Sequence, residues 1–298
     1  MSGRHVWVDG RILAADVPHL SAFDRGFQLG DGVFETLRAR GGRVVELDEH
    51  LARLRRSADG LAIPLSDEAC GAIARAIAEL LRVNDEVRPD ADASVRVTVS
   101  RGVLHGRGLL PTDEFASPTL VIQTWPVPPP PAGHLEQGLH LVVSAIRRDP
   151  RNPLAALKTT SRADFVHARL EARTSGADDA VFLTLDGHLS EATSANLFLV
   201  RGDRLSTPSG DCAILPGTTR SWILGWAAEV GLGPVEGLLT AADLAAADEA
   251  FLSSSVAGIL PVTRFAGRPI GDGRPGPWTR RARAGREAFI RPEVAGMP

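Results

Sequence analysis

The chain contains no tyrosine. A phenol therefore cannot serve as acid, base or hydrogen-bond donor in its chemistry. Lysine is nearly absent as well: of the 33 basic residues only Lys158 is a lysine, and the rest are arginines. A bias toward arginine thins out lysines that are merely solvated charges. It cannot replace a lysine whose amine must lose a proton and attack a carbonyl, because arginine stays protonated in proteins. A lone survivor is either a chance leftover or a covalent-catalysis residue, and the second reading can be named before any motif is read.

Other absences narrow the field. Two cysteines, Cys70 and Cys212, cannot make a metal-ligand set or a disulfide scaffold. No stretch reaches 18 uninterrupted apolar residues, and the N-terminus shows no apolar signal region. The expectation is a cytoplasmic protein with no membrane to cross. A net charge of −3 carries no basic excess for nucleic-acid phosphates, so no nucleic-acid partner is expected. There is no internal repeat and no glycine-rich loop of nucleotide-binding pattern. The 298 residues, 44% hydrophobic and 23% charged, suit one large or two ordinary globular domains.

The patterning is α/β. Asp9-Gly10 joins Val6-Trp7-Val8 to Arg11-Ile12-Leu13 as a hairpin. Val33 to Arg40 reads as a strand, Gly41-Gly42 as a turn and Arg43 to Leu47 as the returning strand. A helix from about Asp48 aligns Leu47, Leu51, Leu54 and Ala58, and Gly60 ends it. Ser66 reads as the N-cap of a second helix carrying Cys70, Ile73, Ile77 and Leu80. Strands follow at Val95–Ser100 and Thr119–Thr124, around a Gly/Arg-rich loop. The proline tract from Pro126 to Pro131 is a stiff spacer. It sets the expected boundaries: an N-terminal α/β domain over 1–125, a linker over 126–138 and a C-terminal domain over 139–298. In that second part, Leu139–Ile146, Ala180–Leu185, Leu197–Val200, Ala250–Ser254 and Leu260–Ala266 read as strands. A helix with Ser161 as N-cap and Asp164 completing a capping box ends at Gly176. Another follows Pro216-Gly217 and stacks Trp222, Trp226 and Val230. The end is polar and arginine-rich.

Lys158 lies in Leu154-Ala155-Ala156-Leu157-Lys158-Thr159-Thr160, after an apolar run and before a helix. An amine held there is partly desolvated and nucleophilic toward an aldehyde. Aldehyde chemistry at a lysine points to pyridoxal 5'-phosphate (PLP). That cofactor asks for a carboxylate at its pyridine nitrogen, an anion site for its phosphate and a shaped pocket. Glu191, between two expected strands and among small residues, is the carboxylate candidate; a loop glutamate that is merely solvated is the alternative. Leu215-Pro216-Gly217-Thr218-Thr219-Arg220 turns into a helix N-terminus, where N–H groups and the helix dipole favour an anion. A simple threonine cap would look the same. The serine cluster ending at Ser255 could add a hydroxyl.

These residues resemble the class IV, fold-type IV PLP enzymes: branched-chain and D-amino-acid aminotransferases, R-selective amine transaminases and aminodeoxychorismate lyases. Asp24-Arg25-Gly26-Phe27, Gly30-Asp31-Gly32-Val33-Phe34-Glu35-Thr36 and Glu49-His50-Leu51-Ala52-Arg53-Leu54 match in the first half. Leu157-Lys158-Thr159, Gly176-Ala177-Asp178-Asp179-Ala180, Glu191 through Phe198, and Leu215 through Arg220 match in the second, all in family order. The resemblance implies a small N-terminal α/β domain, a larger C-terminal pseudo-barrel and a homodimer whose partner chain helps line the pocket. It implies that Lys158 forms the internal aldimine and shuttles the Cα proton, and that Glu191 pairs with the pyridinium. Arg53, Thr218, Thr219 and Ser255 would hold the phosphate, and Leu215 would pack on the ring. Phe34, Thr36, Arg38, His105 and Arg107 would line the substrate pocket, with an arginine for the donor carboxylate. The implied activity is amino transfer from an amino acid, a D-amino acid favoured, or from an R-amine to a keto acid. The alternatives are pyruvate elimination from aminodeoxychorismate and, as a minor one, a non-catalytic PLP carrier. Two departures stand out. Ala163 occupies the place where branched-chain enzymes carry a tyrosine. The loop reads His105-Gly106-Arg107, whereas D-amino-acid enzymes have Arg-x-His.

Overall fold

The computed structural model describes residues 3–104, 108–111, 117–131 and 133–291. These divide into two compact units, one holding the chain up to Pro128 together with Leu157–Arg162, the other holding Pro129–Ala156 and Ala163–Ile290.

In the first unit, β1 (His5–Val8) and β2 (Arg11–Ala14) form the expected hairpin, with Asp9 and Gly10 both at positive φ. A short helix α1 (Arg25–Leu29) is capped by the Asp24 carboxylate. Then come β3 (Gly32–Arg40), β4 (Arg43–Val44), α2 (Leu47–Gly60), α3 (Asp67–Val83), β5 (Asp92–Ser100) and β6 (Thr119–Pro126). The six strands make one antiparallel sheet in the order β2-β1-β6-β5-β3-β4. The return strand is shorter than the apolar pattern of Arg43 to Leu47 predicts. Glu46 adopts a left-handed conformation at φ 53°, which ends the strand and starts α2 one residue later. Ser66 caps α3 as expected.

Period-two alternation decides which β3 residues meet the helices. Val33, Leu37 and Ala39 pack with Leu54, Ala58, Ile73, Ile77 and Leu80 in one core. Glu35 shares that face; Phe34, Thr36 and Arg38 take the opposite one.

The second unit is built on β7 (Leu139–Arg148), α4 (Ala163–Thr174), β8 (Asp179–Thr184), β9 (Leu189–Ala192), β10 (Asn196–Arg201), β11 (Arg204–Pro208), α5 (Thr218–Glu229), β12 (Gly233–Gly237), α6 (Ala241–Ala245), β13 (Glu249–Ser254), β14 (Gly258–Phe265), β15 (Arg268–Pro269) and α7 (Pro277–Ile290). Its nine-stranded mixed sheet runs β12-β11-β10-β13-β14-β7-β8-β9, with β15 beside β14. Strand β9, at one end of that order, packs against β10 and β11 near the other, so the sheet curls on itself.

Three local expectations change here. Glu191 is not on a loop but in β9, all four residues of which are buried. Small polar residues after an Asp-Gly turn mask a short strand that pairs with β8 across that turn and packs against β10 and β11. Ser161 is not the cap of α4: that helix begins at Ala163, and the Ser161 hydroxyl donates to the Gly30 carbonyl at 3.2 Å. The arginine-rich end is helical, since α7 buries Thr279, Ala282, Arg286 and Ile290 on one face. An arginine at a buried helix position disguises the apolar stripe.

Candidate active site

Lys158 is held through its backbone. The Phe34 amide donates to its carbonyl at 2.9 Å, and its own amide donates to the Ser57 hydroxyl of α2 at 3.1 Å. One residue on, Thr159 bridges Val33, and the Thr160 amide donates to the Gly32 carbonyl at 2.8 Å. The segment thus lies along the start of β3. Gly60 makes room for it: a Cβ there would sit 2.5 Å from the Leu157 side chain. Lys158 is half-buried, and its amine lies 4.8 Å from the centroid of the Phe34 ring.

The other expected residues of this unit are less alike. Arg53 is buried and locked edge-on to Glu35, with Nε to Oε1 at 2.6 Å and Nη2 to Oε2 at 2.8 Å. His50 Nδ1 lies 2.7 Å from the same carboxylate. Burial by itself would raise the Glu35 pKa, but the hydrogen bonds and charges of Arg53 and His50 outweigh it and bring the carboxyl down to about 2. Arg38 gives Nε and Nη2 to Asp92 at 2.8 and 2.6 Å. Thr36 is half-buried on the same face of the sheet as Phe34. His105 and Arg107 lie outside the described residues.

Sequence reading missed Arg96. It stands opposite Thr36 in β5, its guanidinium 3.9 Å from the Phe34 centroid and its Nε donating to the Thr98 hydroxyl at 3.2 Å. Desolvation lowers its pKa, yet an arginine remains a cation. Lys158 and Arg96 therefore both lie against one aromatic ring. Only the pairing of β3 with β5 reveals this.

In the second unit the Glu191 carboxylate is buried and anchored. Its Oε2 accepts the Leu215 amide at 3.1 Å and lies 3.4 Å from Asn196 Nδ2, which also donates to the Leu215 carbonyl at 2.9 Å. Arg148, also missed, reaches to 3.7 Å from Oε1 while donating to the carbonyls of Ala213 and Ala155 at 3.0 and 3.2 Å. Its place at the end of β7 carries no local motif, so sequence alone does not mark it.

Leu215 leads through Pro216 and the N-cap Gly217 into α5, with no side-chain hydrogen bond capping the helix. A Cβ on Gly217 would come within 2.2 Å of Asn196 Oδ1. Thr218 opens the first turn with its hydroxyl 3.3 Å from that of Ser255. Thr219 follows, 2% exposed. First-turn amides, hydroxyls and the dipole of a twelve-residue helix form a donor set suited to a phosphate. The anchored carboxylate next to the same turn suits a protonated heterocyclic nitrogen. The two groupings required for PLP, an anion cup and a buried acid, thus occur together in one unit.

Among the described residues no group of three His, Cys, Asp or Glu side chains could hold a metal ion, and no helix is long and apolar enough to cross a membrane. The model of the amino-transferase class IV family matches residues 32–265. A putative branched-chain-amino-acid aminotransferase of Methanocaldococcus jannaschii is 35% identical over 93% of each chain. The D-alanine aminotransferase of Bacillus licheniformis is 31% identical over 97% of this chain and 98% of its own. The crystal structure of the Escherichia coli branched-chain amino acid aminotransferase superposes with a TM-score of 0.90 at 28% identity, covering 99% of this chain and 98% of that one. The PLP-bound form of a hypothetical aminotransferase from Mycobacterium tuberculosis gives a TM-score of 0.82 at 27% identity, covering 96% and 98%. A two-unit α/β chain with a curled mixed sheet and a lone lysine clamped to a strand is the architecture of a fold-type IV enzyme. The chain belongs to the class IV aminotransferase family, whose chemistry is PLP-dependent transamination.

Proposed function

We propose that this chain is a PLP-dependent aminotransferase that moves an amino group from an amino acid, a D-amino acid favoured, or from an R-amine to a keto acid. The observation that carries the reading is the clamping of its only lysine: backbone hydrogen bonds to Phe34 and Ser57 hold Lys158 with its amine against the Phe34 ring. Bound PLP would supply an electron sink for the pair released when the donor's Cα–H bond breaks. Lys158 Nζ would hold the cofactor covalently and, once released, would carry the Cα proton to the cofactor's C4′. Glu191, fixed by the Leu215 amide and Asn196, would keep the pyridine nitrogen protonated. Arg53, with the first-turn groups Thr218 and Thr219 and with Ser255, would bind the phosphate, and Leu215 would pack on the ring.

Phe34 and Thr36 would line the substrate space. Arg96 would take the donor carboxylate, since its cation already lies against Phe34, whereas Arg38 directs two donors at Asp92. His105 and Arg107 are the other carboxylate candidates. Likeness to a D-alanine aminotransferase over nearly the whole chain, and Ala163 in place of a tyrosine, support a D-amino acid as donor. Leu20, Phe23, Phe27 and Leu29 are exposed in one stretch around α1, Phe27 to 77%, which supports burial against a second copy in a homodimer.

The test is a half-reaction screen of the holoenzyme against D-amino acids, L-branched amino acids, R-amines and aminodeoxychorismate, with borohydride trapping and peptide mapping. Amino transfer with the label on the Lys158 peptide is expected. Pyruvate release from aminodeoxychorismate without amino transfer would replace this reading by the lyase. Cofactor-loaded, active protein with Lys158 unlabelled would remove the central assignment.

A further inference from the structure

Arg286 is among the largest fully buried side chains of the molecule, 2% exposed, and it sits in α7 far along the chain from every motif read above. Its guanidinium carbon lies 5.3 Å from the Trp222 ring centroid and 5.1 Å from that of Phe289. Its Nη2 donates to the Thr219 hydroxyl at 3.2 Å. Gly285 assists the approach of α7 to α5: a Cβ there would meet Trp226 Nε1 at 3.0 Å and Trp222 at 3.4 Å.

A hydroxyl has one proton and two lone pairs, and a guanidinium can only donate. The contact therefore fixes Thr219 Oγ1 as an acceptor on its α7 side and leaves its proton for another acceptor. A hydroxyl that accepts from a cation is also a stronger donor, because successive hydrogen bonds polarise one another. Thr219 stands in the first turn of α5, where the N-cap supplies no side-chain acceptor.

We infer that Arg286 is a positioning residue for the phosphate: through Thr219 it presets a hydroxyl donor at the α5 N-terminus and places a buried positive charge behind it. The inference rests on reading that turn as the phosphate site of PLP.

The test compares dissociation constants of PLP and of pyridoxal, which lacks the phosphate, for the full chain stripped of cofactor and then titrated. Arg286→Met should weaken PLP roughly 10-fold, as expected for losing one charge-assisted contact, with pyridoxal unchanged within about 2-fold. Thr219→Val should show the same phosphate-selective loss, Thr219→Ser should retain parent affinity, and the Arg286→Met/Thr219→Val double variant should lose no more than either single one. Where Arg286→Met does not fold, Arg286→Lys carries the same cycle, because an ammonium lacks the planar fork that reaches Thr219. Equal weakening of both ligands, or losses that multiply in the double variant, would overturn the positioning role. A parent chain that binds pyridoxal as tightly as PLP would instead take down the phosphate site itself, and the inference with it.

Discussion

Arg53 meets Glu35 through two parallel hydrogen bonds of 2.6 and 2.8 Å, inside a core where both side chains are almost fully buried. The pair joins α2 to β3, and His50 closes on the same carboxylate. A guanidinium held along its Nε–Nη2 edge has its remaining direction set by the sheet and not by its own rotamers.

This pairing makes stability depend on acid. The Glu35 carboxyl titrates at about 2 when folded, below its usual 4.5. A depressed folded pKa contributes stability above the ordinary value and loses it as pH falls toward the folded one, so the loss should run between these two values. The displacement corresponds to roughly 3 kcal/mol. Unfolding free energy of the parent should therefore drop across that window, and Glu35→Gln should flatten the drop by about one proton. The variant should start about 3–5 kcal/mol lower near neutral pH because Arg53 loses a buried counter-charge. Denaturant titrations at several pH values check this, and parallel slopes in parent and variant would rule it out.

Glu191→Gln keeps an acceptor for the Leu215 amide but removes the negative charge. Cofactor binding should persist while turnover falls about 100-fold or more, as is typical when a preorganised electrostatic contact is removed. Near-parent turnover in this variant would mean that the carboxylate only ties Leu215 and Asn196 in place.

Gly217→Ala should be costly although its φ is an ordinary −75°. The new methyl would collide with Asn196 Oδ1, whose amide nitrogen is already engaged with the Leu215 carbonyl and Glu191. Overpacking of this kind costs roughly 1–3 kcal/mol, and it should appear as a lowered Tm together with weaker PLP retention. An unchanged Tm would show that Asn196 can swing aside.

Arg96→Gln should separate substrates by charge. KM for carboxylated donors should rise roughly 10-fold or more, while R-amines without the carboxylate change little. Equal effects on both classes would assign Arg96 to packing on Phe34, and carboxylate binding would pass to His105 or Arg107.

Much of this molecule is legible in one dimension. Ser66 caps α3, Asp9-Gly10 turns the first hairpin and Pro216-Gly217 leads into α5, because each signal acts on its immediate neighbours. The hidden elements are those whose burial comes from packing that no local signal marks. Strand β9 is too short and polar to announce itself; it pairs with the adjacent β8, and its burial comes with the packing of β10 and β11 against it. Helix α7 buries an arginine where a pattern reader expects an aliphatic residue.

The division at the site follows the same logic. Lys158, Glu191 and the Thr218-Thr219 turn could be nominated from residue chemistry, since an amine, a carboxylate and a helix start keep their character in any fold. Tertiary structure decided the neighbours: Glu35 beneath Arg53, Arg96 beside Phe34, Arg148 near Glu191 and Arg286 behind Thr219. Thirty-two arginines look alike along a chain, because a guanidinium has the same charge and donors wherever it is written. Burial and the partner within hydrogen-bonding reach separate them, and both are set by strand pairing and helix packing between residues far apart in sequence.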